Sequence, residues 1–171
     1  METFVRGASV DAVLDANRKV DRALRAGAMA VGAQVKITTI PGYMPLQQDT
    51  KMMDMFKSNA VGLVGEDGIG YRAHSTGSTD MGVVSQIMPV IHRYVGGATG
   101  IGHGNDYVVQ DYQLAVVTAA KALANTVVDL LSDGAKNGGE VLAQNRTFMT
   151  RDKYLEVMRG LAKDELYKPE G

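Results

Sequence analysis

Residues 75–107, STGSTDMGVVSQIMPVIHRYVGGATGIGHGNDY, run from a small polar turn through a short apolar stretch into a glycine-rich loop carrying His103. Asp80 follows Ser75, Thr76, Ser78 and Thr79 and suits the N-cap of a short helix from Met81. Pro89–Val95 predicts a strand entering the loop GGATGIGHG. His103, between Gly102 and Gly104, has an uncrowded side chain and a backbone with unusual freedom, which suits a ligand and a surface histidine alike. His92 falls in the apolar run and reads as a core or edge residue, while His74 falls in the polar turn and reads as solvated. Because cysteine is absent, the three histidines cannot form a structural zinc site of the usual His/Cys kind.

After the loop, Asp111 is placed to cap a long helix. Leu114, Val117, Ala120, Ala124, Val127, Val128 and Leu131 share one stripe of it, opposite Thr118, Lys121, Asn125, Asp129 and Ser132. Asp133-Gly134 ends that helix. Val141 and Leu142 predict one more turn, and Thr150 starts a last helix through about Leu161.

Before the loop, residues 2–6 predict a strand end. Ser9 caps a helix with Val10, Val13, Leu14, Val20 and Leu24 on one face and Gly27 as its stop. Gln34–Ile40 predicts a strand closed by Pro41-Gly42. Strand, helix and strand in so few residues bury too little apolar surface to stand alone, so this piece reads as half of a domain. The proline-bearing PGYMPLQQD marks a boundary, giving residues 1–46 and 47–171 as two regions. Asp49 then caps a helix through about Asn59, with Met52, Met53 and Phe56 inward.

Composition excludes several classes. A chain of 171 residues with 45% hydrophobic and 22% charged residues is too apolar for disorder. A net charge of -1 gives no electrostatic case for nucleic acid or an anionic membrane as partner. No signal peptide or consecutive apolar run of spanning length is evident, and the chain reads as cytoplasmic. The glycines of GGATGIGHG come as GxxGxG, with HGNDYVVQ before the helix, so a dinucleotide site is disfavoured. No Walker A, GxSxG or HExxH motif occurs.

The stretch GSTDMGVVSQIMPVIHRYVGGATGIGHGND with the helix AVVTAAKALANTVVDLLSDG resembles the C-terminal part of M20-family metal-dependent amidohydrolases, in particular the aminobenzoyl-glutamate hydrolase branch. The preceding VRGASVDAVLDANRKVDRALRAGAMAVGAQVKITTIPGYMPLQQD is similar to the second half of the family's lid, or dimerisation, domain. The resemblance implies an α/β fold: residues 1–46 as half of a ferredoxin-like lid, and 47–171 as the C-terminal part of a catalytic domain with a sheet and flanking helices. It implies a parent enzyme that cleaves the amide of an N-acyl or aminobenzoyl amino acid by water activated between two divalent metals, Zn or Mn. His103 matches the family's late histidine ligand. The other ligands and the general base would precede Met1, so the chain alone should be inactive.

Asp80 or Asp106 would accept a hydrogen bond from the second nitrogen of His103. Arg6 would hold the substrate carboxylate, and the lid would form a homodimer. Val83 stands where close relatives carry a second acid, which separates this chain from their substrate. The alternatives are a metal-free interaction or dimerisation module built on the strand edge at 34–40, or a decayed enzyme copy.

Overall fold

Ser9 caps the first helix as its residue type requires, its hydroxyl accepting from the Ala12 N–H at 3.2 Å. This helix, α1, spans Val10–Ala30 and runs straight through Gly27, because one interior glycine costs only about 1 kcal/mol. It closes one turn later in a Schellman motif: the Ala33 N–H reaches the Ala28 carbonyl at 2.9 Å and the Gly32 N–H reaches that of Met29 at 3.1 Å. Strand β1 follows at Val35–Thr39. The structure, a computed structural model, describes residues 1–71, 75, 77–144 and 148–169. His74, read as solvated from its neighbours, lies outside them.

The remaining elements are α2 (Thr50–Val64), a 3-10 turn at Glu66–Gly68, the single-turn α3 (Met81–Val84), β2 (Ala98–Thr99) and β3 (Val108–Val109). A π-helical turn at Gln113–Thr118 then leads into α4 (Ala119–Leu142), followed by α5 (Arg151–Leu161) and β4 (Lys163–Tyr167). The chain is therefore a mixed helix and strand protein. Its described sheets are two antiparallel pairs, β1 with β4 and β2 with β3. A larger central sheet with flanking helices, as the sequence implied, is not assembled by the described residues.

Two compact units result: Met1–Gln47 with His74–Met88 and Thr147–Gly171, and Gln48–Ala73 with Pro89–Arg146. In the first unit, α1 packs against β1, and β1 pairs residue for residue with β4, Thr38 opposite Asp164. Residues 2–6, expected as a strand, form none; Phe4 is exposed, with the Arg6 guanidinium 5.8 Å from its ring centre. The partner that β1 finds instead is KDELY, whose charges disguise it as a solvated tail. Charge is what holds it: Lys163 meets the buried Asp21 at 3.0 Å and Glu165 meets Arg25 at 3.2 Å, both acting from β4 onto α1.

A pH dependence follows from the same pair of strands. The Thr38 hydroxyl donates to Asp164 at 2.6 Å and Lys36 stands 3.4 Å away, together holding the Asp164 carboxyl below its ordinary 3.8. A carboxyl depressed on folding stabilises fully above its unfolded value, and the contribution disappears as pH falls through the folded one. Protection of the β1 and β4 amides relative to their intrinsic exchange at each pH should therefore fall below pH 3.8, and less so in Asp164→Asn. Equal loss of protection in both proteins would remove Asp164 as the cause.

The first unit also contains a strap. The Gln47 N–H donates to the fully buried Ser85 hydroxyl at 3.1 Å, and Gln86 Nε2 donates to the Pro45 carbonyl at 2.9 Å, laying residues 44–47 over α3. Gly82 lies directly beneath the Met44 carbonyl.

In the second unit Asp49, almost wholly buried, caps α2 by accepting from the Met52 N–H at 2.9 Å. The long helix breaks where Asp133-Gly134 predicted: Ser132–Ala135 leave helical geometry, and the Asn137 amide takes up the stranded Asp129 carbonyl at 2.9 Å. Its packing face departs from expectation. Helix α2 meets α4 through polar contacts, with Asn59 Nδ2 donating to Asp129 at 2.6 Å and to Thr126 at 3.4 Å. This turns Ala122 and Thr126, each 3% exposed, inward, and leaves Val127 at 52% and Leu131 at 67% exposed. The apolar stripe, a face that ordinarily packs on a core, largely faces out. By length and composition alone, the apolar part of Gln113–Ala143 is long enough to cross a membrane, a property that the core helix of a soluble protein shares.

Candidate functional site

The glycine-rich loop is the bend of a hairpin. Ala98 pairs with Val109 and Thr99 with Val108, while the Gly97 carbonyl accepts from the Gln110 and Asp111 N–H groups at 2.8 and 3.0 Å. Gly100 has φ +87, and a Cβ there would lie 2.3 Å from the Asp106 carbonyl oxygen, so only glycine fits. The glycines thus shape a hairpin. They do not open the following helix, whose first turn is capped by Asp111 accepting from the Leu114 N–H at 2.8 Å.

His103 stands at the tip of this hairpin, exposed, with φ +65. The neighbouring turn is fixed by the Gly104 N–H donating to the Ile101 carbonyl at 2.7 Å and by the Asp106 carboxylate accepting from the Ile101 N–H at 3.3 Å. A histidine in the left-handed region carries a backbone cost of about 1–3 kcal/mol that a glycine would avoid. Its ring is the only thing gained. His103→Gly should therefore leave stability unchanged or raise it by about 1 kcal/mol in urea unfolding. A loss of stability would mean that the imidazole serves the hairpin itself.

The other sequence candidates divide between the units. His103 and Asp106 share the second unit, and Asp106 shapes the loop that carries His103. Asp80 and Arg6 belong to the first unit. Asp80 does not cap α3 with its side chain; Thr79 does so, its hydroxyl accepting from the Met81 N–H at 3.3 Å while donating to Asp80 at 3.2 Å. Asp80 itself is already helical in its backbone, which leaves the capping place to the residue before it. Arg6 lies over the Phe4 ring. His92, read as a core or edge residue, stacks its ring on Tyr94, centroids 5.3 Å apart.

No three of His, Asp and Glu gather among the described residues into a group able to hold a metal ion. The described side chains therefore do not by themselves fit a two-metal centre, and no catalytic step can be drawn through one here.

Sequence reasoning missed a different feature. Phe56 of α2, Ala119 and Leu123 of α4, and Ile91, Arg93 and Val95 line a cleft of about 60 Å3 in the second unit. The alternation of 91, 93 and 95 was the available signal, obscured because Arg93 interrupts the apolar run.

Compared with protein-family models, curated proteins and solved structures, the chain matches none.

Proposed function

We propose that this chain is the C-terminal portion of an M20-type amidohydrolase whose parent cleaves the amide of an N-acyl or aminobenzoyl amino acid. In this reading His103 is the last protein ligand of a pair of Zn or Mn ions, and the other ligands lie on polypeptide outside this chain. The observation that carries it is the backbone of His103, a non-glycine residue held at φ +65 on an exposed hairpin tip. Such strain persists where a side chain must be presented. Asp106, which fixes the same hairpin, is a positioning residue in this reading, Arg6 a substrate carboxylate clamp, and Asp80 a second acceptor. Residues 1–46 are half of a lid through which two copies pair.

The test is zinc binding to the purified chain, read with a competing chromophoric chelator alongside hydrolysis of an N-acyl amino acid. The expected result is weak binding of at most one zinc, lost in His103→Ala, and no turnover with Zn or Mn. Binding unchanged by His103→Ala would sink the assignment of that ligand. Turnover that His103→Ala abolishes would sink the claim that most of the centre lies elsewhere.

A metal-free dimerisation module is the second reading, favoured by β1. Among the described residues its ladder partner is β4, leaving the opposite edge open to another copy. Light scattering that finds a monomer at every concentration would count against it.

A further inference from the structure

Residues 89–95 carry the spacing of a strand without belonging to a sheet. Ile91, Arg93 and Val95 line the same cleft, while the rings of His92 and Tyr94 stack on each other, so side chains alternate with period two. In a strand, backbone groups alternate between the two edges in the same way. One edge is occupied: the Val90 carbonyl accepts from the Asp49 N–H at 2.8 Å, and the His92 N–H donates to Gln48 Oε1 at 2.8 Å. Along the other edge Ile91, Arg93 and Val95 make no hydrogen bond among the described residues.

The cleft beside that open edge says what could lie on it. At about 60 Å3 it is far below the roughly 300–1,000 Å3 of a small-molecule pocket and close to the room one or two side chains need. Its walls are apolar except for Arg93, which makes no ion pair among the described residues. Burial lowers the Arg93 pKa, with only the field of Asp54 opposing. A guanidinium set into an apolar wall calls for a carboxylate, and an open strand edge calls for a backbone.

We propose that the second unit binds an extended, acidic segment of a partner polypeptide by strand addition along 91–95, its carboxylate paired with Arg93 and its neighbouring apolar side chains against Val95, Phe56 and Leu123. This goes beyond the amidohydrolase reading and stands without it.

The probe is a fluorescein-labelled peptide of about nine residues, Thr at alternate positions and Val between them with Glu at the centre, and a twin with central Gln. Fluorescence anisotropy should show saturable binding of the Glu peptide to the full chain and about tenfold weaker binding of the Gln twin. Arg93→Gln, checked for native circular dichroism, should reduce the Glu peptide to the level of its twin. Amide exchange should slow at 91, 93 and 95 when peptide is added. Equal binding of the two peptides to the wild-type chain overturns the proposal, as does absence of binding at about 1 mM. Protection of those amides before any peptide is added, in a discrete dimer, overturns it too and makes a second copy the occupant.

Discussion

Gly82→Ala should lower the stability of the first unit by about 3–5 kcal/mol, a large share of the roughly 5–15 kcal/mol that holds a domain folded. A Cβ on Gly82 would lie 1.9 Å from the Met44 carbonyl oxygen and 3.0 Å from its carbon, both backbone atoms that cannot swing aside as a side-chain tip can. The strap must lift. Overpacking of this kind costs about 1–3 kcal/mol, and lifting the strap also breaks the Gln47–Ser85 and Pro45–Gln86 hydrogen bonds, each worth about 0.5–1.5 kcal/mol, although both side chains keep the Gly82 carbonyl. Gly27→Ala is the control. Nothing lies within 4 Å of a Cβ there, and the position is interior to α1, so alanine should raise stability by about 0.5–1 kcal/mol. Urea unfolding of the two variants should move in opposite directions, and a Gly82→Ala midpoint at or above wild type would show that the strap does not lie as described.

Local chemistry was legible where a side chain acts on its own backbone. Ser9, Asp49, Asp111 and Thr150 each accept from the N–H three residues on, and Asp133-Gly134 breaks the long helix as its turn chemistry required. What escaped reading depends on distant residues. KDELY forms a strand because Asp21, Arg25, Lys36 and Thr38 meet its charges, and none of these is near it in sequence. Pro89–Val95 keeps the alternation of a strand but finds no ladder partner among the described residues, since sheet membership is a property of two segments. At the candidate site, the glycines around His103 announced an unusual backbone, and the positive φ agrees with them. The isolation of Arg93 among apolar walls could not be read, because Phe56 and Leu123 come from helices far apart in the chain.

The long helix gives the second large effect, because its periodicity and its packing predict opposite results for the same substitutions. Were Val127, Val128 and Leu131 core residues, as their spacing suggests, replacing each by Gln would cost about 2–5 kcal/mol and the triple variant would not fold. All three are more than half exposed, while Ala122 and Thr126 fill the inward face against α2. The triple variant should therefore keep its urea midpoint to within about 0.5 kcal/mol per site. Its solution behaviour should change far more. Covering a Val or Leu is worth about 1.5–3 kcal/mol when complete and about half that from a half-exposed start, so the three sites together give about 3 kcal/mol toward any contact that hides them. That corresponds to about two orders of magnitude in an association constant. Loss of apolar-dye binding and a higher concentration threshold for aggregation, with the unfolding midpoint held, are the expected observations. A triple variant that unfolds would return the stripe to the core and place α2 on the wrong face of α4. Burial, and not hydropathy alone, assigns this helix its inner face: Asn59 on α2 has its hydrogen-bond partners on the Thr126 and Asp129 side, and packing that side inward leaves the aliphatic side uncovered.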